Sequence, residues 1–576
     1  MGPTLFTFGL ITDTHIRPPQ GDDSSPYAVN QLANDRARYA SELLASRSPE
    51  FTLHLGDMVH TLPHMSTYPD ACQEAHRLFQ PLNPKLYFVP GNHDIGDKPM
   101  ATSPAGAVDE HTMLAYQSQF GESWFSFTHS DCCFAVVNSS LINAGNQQET
   151  EQREWLENLF EFTGAKRMFL CSHYPPFINH PDEPSHYDNY AEPGRSWLLE
   201  LLKRYDVEAV FSGHVHQFFY NCYGVSKLYC LPPTSFTRQD YAELYRTTCE
   251  REFGRDDAGK FSVALVHVSA DGHSLEVLPT QGRCLADDEA PSVATSVGSR
   301  NHNLCVHMRH AWYEAVDLPY NGPMEEFSRK RARNDYPLLR LWQMGISHVR
   351  TPLADLLDPA IRSRVLEWSR AGIDFTFATS TSPREIPWDL LEQNAGLIRA
   401  VEFATKCDAV TTLIDELSEF APRGFTISLT KIHTSADEKT KGTRFAHNVS
   451  SGFLPGEIGE LLELLSPTSP VSHIVYQINL NDDMELLIPR LLDAHTDGIT
   501  PIFNVRFASR NPAVENVDDE LIASRVESVL RLSEQHRSLN IQIDTFMDID
   551  RGYSPRNGLL DRSSNFRKAG TLICTR

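Results

Sequence analysis

Nowhere does the chain have the run of about 20 apolar residues needed to cross a bilayer, so its 576 residues are not expected to span a membrane. Basic residues are scarce, with 51 Lys and Arg against 75 Asp and Glu and a net charge of −24. Nucleic-acid binding needs clustered cations to neutralise phosphates, so no nucleic-acid partner is expected. The one notable basic cluster, Arg329-Lys330-Arg331-Ala332-Arg333, falls in a helix-like segment, Met324–Met344, and reads as a solvated helix face. The 11 Cys show no disulfide-like spacing, which points to reduced thiols and a cytoplasmic location. Met1-Gly2-Pro3-Thr4 places no basic region before the first apolar stretch, so that stretch reads as a core strand and not as a signal peptide.

Five polar motifs, each closing a short apolar run, occupy the first half: Asp13-Thr14-His15, Gly56-Asp57, Gly91-Asn92-His93-Asp94, Ser172-His173 and Gly213-His214-Val215-His216. None contains Cys, which argues against a closed structural zinc site, while imidazole, carboxylate and amide oxygen suit Mn, Fe or Zn. In Asp13-x-His15 and His214-x-His216 the i, i+2 spacing turns both side chains to one face of an extended segment. The preceding runs, Phe6–Thr12, Phe51–Leu55, Leu86–Val89, Met168–Cys171 and Ala209–Phe211, read as buried strands. Helix-like stretches at Ala28–Ala45, Glu151–Phe162 and Arg195–Tyr205 alternate with them, giving a layered α/β domain whose ligands gather at the carboxyl ends of strands. Two metals about 3.5–4 Å apart can clamp a phosphoryl group and deprotonate a water between them.

The set D-x-H, G-D, G-N-H-D, H and G-H-x-H resembles the calcineurin-like metallophosphoesterases. Gly213-His214-Val215-His216 and Ser172-His173-Tyr174-Pro175-Pro176 are most similar to the class III cyclic-nucleotide phosphodiesterase branch. The resemblance covers roughly residues 4–280 and implies a four-layer α/β/β/α sandwich. It also implies two divalent or mixed-valence ions (Mn, Fe or Zn), one held by Asp13, His15 and His216 and the other by Asn92, His173 and His214, with Asp57 bridging. His93 would act as general acid or stabilise transition-state charge, with Asp94 orienting its ring. His54, His60, His64 and His76 are expected mostly at the surface or behind the ligands. His180, His186, Tyr187 and Arg195 share the loop after His173 and are candidate substrate contacts.

The first domain is expected over 1–282, ending with a β-like pair, Phe261–Val268 and Ser274–Leu278. A linker rich in acidic, small and hydroxyl residues follows over 283–303, and a second domain over 304–576. The second domain alternates eight strand-like runs with helices, the size and pattern of a (β/α)8 barrel, although periodicity does not report closure and an open sheet stays possible. The strand ends carry Arg309, His310, Arg350, Glu402, Lys431, His433, Asn479, Asn481, Arg506, Asp544, Asp548 and Asp550, a mixed-charge set suited to a sugar or polyol. Glu402 and Asp544 are candidates for the paired carboxylates of glycoside hydrolysis.

These readings predict a phosphodiesterase that cleaves a small phosphodiester (a cyclic nucleotide, glycerophosphodiester or sugar phosphodiester) by attack of a metal-bridging hydroxide. The alternatives are a phosphomonoesterase or nucleotidase using the same site, and a carbohydrate-active enzyme whose barrel is the main catalyst. The expected partner is a small phosphate ester, with a homo-oligomer possible.

Overall fold

Alternating residues of the core strands face opposite ways, and in the first unit that alternation builds four layers. The computed structural model describes residues 2–285 apart from 22–24, 26, 84, 101–105 and 246–250, then 291, 303–319, 329–406, 409–433, 450–465, 469–495, 498–508, 518–548 and 557–575. Strands β1 (Thr4–Ile11), β2 (Thr52–His54) and β3 (Leu86–Phe88) run parallel; β4 (Phe125–His129), β5 (Cys132–Val136), β6 (Arg167–Cys171), β7 (Ala209–Ser212), β8 (Phe219–Tyr223) and β9 (Ser226–Cys230) follow, and β10 (Ser262–Ser269) and β11 (Gly272–Pro279) close the run. They form two sheets, ordered β11-β10-β1-β2-β3 and β4-β5-β6-β7-β9-β8. Phe8 of β1 packs on Phe134 of β5 at 5.2 Å and Phe211 of β7 at 5.8 Å, so aromatic rings fill the space between the sheets. The intervening residues Ala135, Leu170 and Val210 face the helices Gln147–Phe162 and Gly194–Arg204, while Ile11, Val263 and Leu265 face Ala33–Ser46 and Tyr68–Leu78. The expected four-layer sandwich is observed. Cys132 and Cys133 are buried within β5.

Strand β12 (Leu304–His307) opens a second unit, but the chain then forms an antiparallel hairpin, β13 (Ala315–Leu318) with β14 (Lys330–Arg333). The compact units are Met1–Ala294 with Glu314–Leu339, and Thr295–Tyr313 with Arg340–Arg576. The expected boundaries thus differ from the observed division at residues 314–339, which pack with the first unit. The helix expected over Met324–Met344 is also corrected: residues 320–328 lie outside the described residues, Lys330–Arg333 are extended, and the helix begins only at Tyr336. Arg331 alone of that strand is exposed, whereas Lys330, Ala332 and Arg333 are buried, so the basic cluster is not a solvated helix face. The linker expected at 283–303 falls mostly outside the described residues.

The second unit continues through β15 (His348–Pro352), β16 (Asp374–Thr379), β17 (Ile398–Thr405), β18 (Ile427–His433), the short β19 (Ser450–Ser451), β20 (Val471–Ile478), β21 (Thr500–Arg506) and β22 (Asn540–Asp544). Parallel pairing runs β17-β16-β15-β12-β22-β21-β20-β18, and β17 also pairs with β18, so eight strands close into a barrel. All eight overlap the runs expected from periodicity. Among the described residues no helix is long and apolar enough to cross a membrane.

Trp368 is fully buried in the second unit and packs on Trp312 at 4.5 Å. Trp368→Ala should destabilise that unit by about 3–5 kcal/mol; calorimetry is expected to show its transition lowered, with metal binding by the first unit unchanged.

Candidate metal centre

The turns after β1, β2 and β7 place Asp13, His15, Asp57, His214 and His216 in the left-handed region, with φ of 52°, 45°, 55°, 70° and 57°. Such a conformation costs a non-glycine residue on the order of 1–3 kcal/mol and persists only where neighbouring structure over-determines it. Here the turns brace each other. The amides of Asp13 and His15 donate to the carbonyls of Gly56 and Asp57 at 3.0 Å each, and the His214 amide donates to the Asp13 carboxylate at 3.1 Å. The motif glycines serve close approach: a Cβ on Gly91 would lie 2.1 Å from the Asp57 amide nitrogen, and one on Gly213 would lie 2.0 Å from the Thr12 hydroxyl.

Six of the seven predicted ligands fall in two groups that share Asp57. Ligand atoms of Asp13, His15, Asp57 and His216 lie within 4.8 Å of one another, as do those of Asp57, His173 and His214. Asp57 Oδ2 is 3.4 Å from His15 Nε2 and its Oδ1 is 3.3 Å from His173 Nε2. Asn92 Oδ1 joins the second group, 3.1 Å from His173 Nε2 and 2.9 Å from His214 Nδ1. His15 Nε2 and His216 Nε2 stand 3.0 Å apart. The backs of two rings are held by main chain, His173 Nδ1 on the Leu55 carbonyl at 2.8 Å and His216 Nδ1 on the Phe236 carbonyl at 2.6 Å. With Nδ1 turned to a carbonyl in each, Nε2 is the ring atom that faces the cluster, the one that would ligate a metal.

The electrostatics suit cations. Burial pulls the His15 and His214 imidazoles well below the usual range, so both are held neutral. Burial also disfavours charge on His173, but the adjacent Asp57 carboxylate outweighs it and raises that ring to about 9. Burial would raise Asp57 itself, yet His173 and its neighbours hold it well below the usual carboxylate range. His214 Nε2 is buried without a hydrogen-bond partner. A donor set of imidazole, carboxylate and amide oxygen, without thiolate, fits Mn, Fe or Zn.

His93 is half-buried beside the first group, its ring 4.7 Å from that of His15. Its orienting partner is not Asp94. His93 Nδ1 meets the His60 carbonyl at 2.7 Å, whereas the fully buried Asp94 accepts from the amides of Asp57 and Gly91 at 2.8 Å each and of Val59 at 3.2 Å. A short carboxylate directly after His93 turns back towards the backbone of its own motif, so Asp94 shapes the Asp57 turn instead. Burial and the nearby Asp57 charge raise the Asp94 carboxyl well above its ordinary value.

The loop candidates separate. Tyr187 reaches the site: its hydroxyl accepts from the Asn92 amide at 3.1 Å, and its ring lies 4.9 Å from that of His214. His180 is exposed and turns to Asp182 of its own loop, His186 is buried against Glu183 at 3.3 Å, and Arg195 is buried on Glu192 at 2.9 Å. Each of these three is paired within its own loop. Sequence reasoning missed Phe236, packed 4.8 Å from His15 and 4.6 Å from His216, and Asp188, whose Oδ1 is 3.6 Å from His214 Nε2. Two further histidines lie behind the ligand candidates. His54 is buried beneath Thr14, whose hydroxyl is 2.9 Å from His54 Nε2, and His60 Nδ1 lies 3.3 Å from His15 Nδ1.

In the barrel, Glu402 on β17 accepts from Arg350 on β15 at 2.7 and 3.0 Å and from Gln542 on β22 at 3.2 Å, so these side chains cross the interior. Arg309 forks onto Asp544 at 2.6 and 2.7 Å. Burial would raise Asp544, but Arg309 holds it well below the ordinary range. Both candidate carboxylates are therefore engaged by guanidinium forks, which suits neither to donate a proton to a glycosidic oxygen. Lys431 pairs with Glu457 at 2.5 Å, Asn479 bonds Asp482 through its own amides, and Arg506 is buried at the end of β21. Asp550 lies outside the described residues.

Residues 6–218 match the family described as calcineurin-like phosphoesterase. Serine/threonine-protein phosphatase CPPED1 of Danio rerio is 30% identical over 177 residues, covering 29% of this chain and 54% of that protein. The Mus musculus protein of the same name is 28% identical over the same shares. The chain thus spans about half the length of the curated relatives it matches. Among solved structures, purple acid phosphatase PPD1 from yellow lupin (Lupinus luteus) is 13% identical with a TM-score of 0.33, covering 50% of this chain and 53% of that one. GAP50 of Plasmodium is 10% identical with a TM-score of 0.33, covering 49% and 88%.

Gly91→Ala drives a methyl group into the Asp57 backbone, so metal stoichiometry measured by atomic emission should fall while the far-ultraviolet circular dichroism spectrum is retained.

Proposed function

Taking the calcineurin-like phosphoesterase domain of residues 6–218 as premise, we propose that this chain is a two-metal hydrolase of small phosphodiesters. The observation that carries the reading is Asp57, one carboxylate placed between two groups of nitrogen and oxygen donors. Asp13, His15 and His216 would hold one ion, and Asn92, His173 and His214 the other, with Asp57 common to both. When bound, such a pair stabilises charge on the phosphoryl oxygens and supplies an activated water.

The chain's own residues do the rest. The His60 carbonyl occupies His93 Nδ1, so Nε2 is the atom left to give a proton to the departing alkoxide. The His93 amide donates to Asp57 Oδ1 at 2.9 Å, which ties the acid's position to the shared ligand. Asp94 fixes the turn that presents Asp57, and Tyr187 holds the Asn92 amide.

A diester is favoured by how the neighbouring cations are used. Arg238 is engaged by Asp188, Arg255 lies over the rings of Tyr27 and Phe236 at 4.1 and 4.3 Å, and Lys98 is spent on the carbonyls of His186 and Asn189. These three are committed within the fold, and Phe236 gives the site an aromatic wall. The names of the relatives, protein phosphatases, support a second reading, hydrolysis of a phosphomonoester.

The full-length protein loaded with Mn²⁺ separates the two readings on bis-p-nitrophenyl phosphate, cyclic nucleotides and p-nitrophenyl phosphate. A higher kcat/KM on the monoester would reverse the preference. Chelation is expected to abolish turnover and Mn²⁺ to restore it. His93→Ala should retain both ions and lose about 10²–10⁴-fold in kcat, whereas Asp57→Asn should lose metal as well as activity. A His93→Ala protein lacking an ion would make His93 a ligand instead of the acid.

A further inference from the structure

We propose that Lys330, carried on the β13–β14 hairpin, is a positioning residue of the metal centre, holding Asp188 against the ring of His214. Residues 314–339 would then be a working part of the hydrolase, although the chain enters the barrel before making them. The inference rests on the reading of His214 as a metal ligand.

The path is short and buried. Lys330 Nζ donates to Asp188 Oδ2 at 2.6 Å and to Asp240 Oδ2 at 2.5 Å. Tyr241 Oη donates to the same Asp188 oxygen at 3.0 Å, and Arg238 bonds the other, Oδ1. Oδ1 is also the oxygen 3.6 Å from His214 Nε2, while His214 Nδ1 faces Asn92 and the metal cluster. Asp188 makes no hydrogen bond to Nε2, but its carboxylate stands behind the imidazole read as a ligand, where its charge orients the ring and raises its basicity. Asp188 is fully buried, and a buried carboxylate is tolerated only with compensating partners. Without the ammonium, Asp188 and Asp240 would still share Arg238, but with one cation fewer between them their repulsion would turn Asp188 away from His214.

A second contact reaches the same motif. Leu318 and Ala332 of the hairpin join Ile178, Phe219, Tyr241 and Val215 in one apolar cluster, and Val215 is the residue between His214 and His216. Arg333 clamps the hairpin in place, donating to the Asn179 side chain at 2.8 Å and to Asn221 at 2.6 Å, while the Asp335 carboxylate accepts from the Tyr220 amide at 3.0 Å. Periodicity carries no trace of this, because Lys330 and Asp188 lie 142 positions apart.

The test uses the full chain and reads metal binding, not activity. Wild type, Lys330→Met, Tyr241→Phe and Arg331→Ala are titrated with Mn²⁺ against a chelator, Co²⁺ absorption spectra are recorded, and apo-protein melting is followed. Lys330→Met is expected to weaken one ion of the two by about 10–100-fold, with an altered Co²⁺ spectrum and the other ion kept. Tyr241→Phe, which removes only a hydroxyl, should weaken the same ion by a smaller factor. Arg331→Ala, exposed on the opposite face of the strand, should bind both ions as wild type does. Unchanged affinities in Lys330→Met overturn the proposal, as does equal weakening of both ions in step with melting, which marks a merely structural lysine. If Lys330→Met fails to fold, Tyr241→Phe decides, and wild-type affinities there overturn the proposal. Wild-type protein that binds fewer than two ions overturns the reading of the site, and this inference with it.

Discussion

The candidate site depends on the close approach of backbone around Asp57. The turn carrying it is pressed against Gly91, where no side chain fits, and its amide is held by the Asp94 carboxylate. The turn after β1 is braced by the Gly56 and Asp57 carbonyls, and the turn after β7 by the Asp13 carboxylate. Each turn is strained alone and stable only in the company of the others. The two sheets supply that company, since their strands end side by side and the aromatic layer between them sets their spacing.

Charge is managed locally in a chain that is strongly acidic as a whole. Asp57 faces His173, Asp188 faces Arg238 and Lys330, and in the barrel Glu402 and Asp544 each take an arginine fork. These pairs are buried, where an unmatched charge costs several kcal/mol. The scarcity of cations in the composition therefore says little about the sites themselves, because the few that matter are placed one by one against particular acids.

Much of the architecture could be read from the chain. Phe134, Phe169 and Phe211 stand next to Ala135, Leu170 and Val210 in short apolar runs, and such runs mark strands covered on both faces. The eight barrel strands were visible for the same reason, as short apolar runs between amphipathic helices. Barrel closure was not, because it rests on one pairing, β17 with β18, and periodicity carries no information about which strands meet. The hairpin was misread outright: Lys330, Arg331 and Arg333 resemble a solvated helix face until the buried acids opposite them are known.

At the site, residue types and i, i+2 spacing brought Asp13, His15, His214 and His216 to notice, and the structure groups them with Asp57, Asn92 and His173. The partners behind them were hidden. Asp94 adjoins His93 in sequence yet serves the backbone of Asp57, and the carbonyl that holds His93 belongs to His60, 33 residues away.

By itself the sequence determined which donor chemistry is available, where strands end, and therefore which residues stand at the mouths of the two units. Those are local properties, set by side-chain type and backbone periodicity. Only the tertiary structure decided which main-chain carbonyls back the imidazoles, what Asp94 holds, and that a lysine beyond the first barrel strand stands behind Asp188 and His214. Each of these rests on atoms brought within hydrogen-bonding distance by packing between distant segments, and no local rule of sequence encodes such a distance.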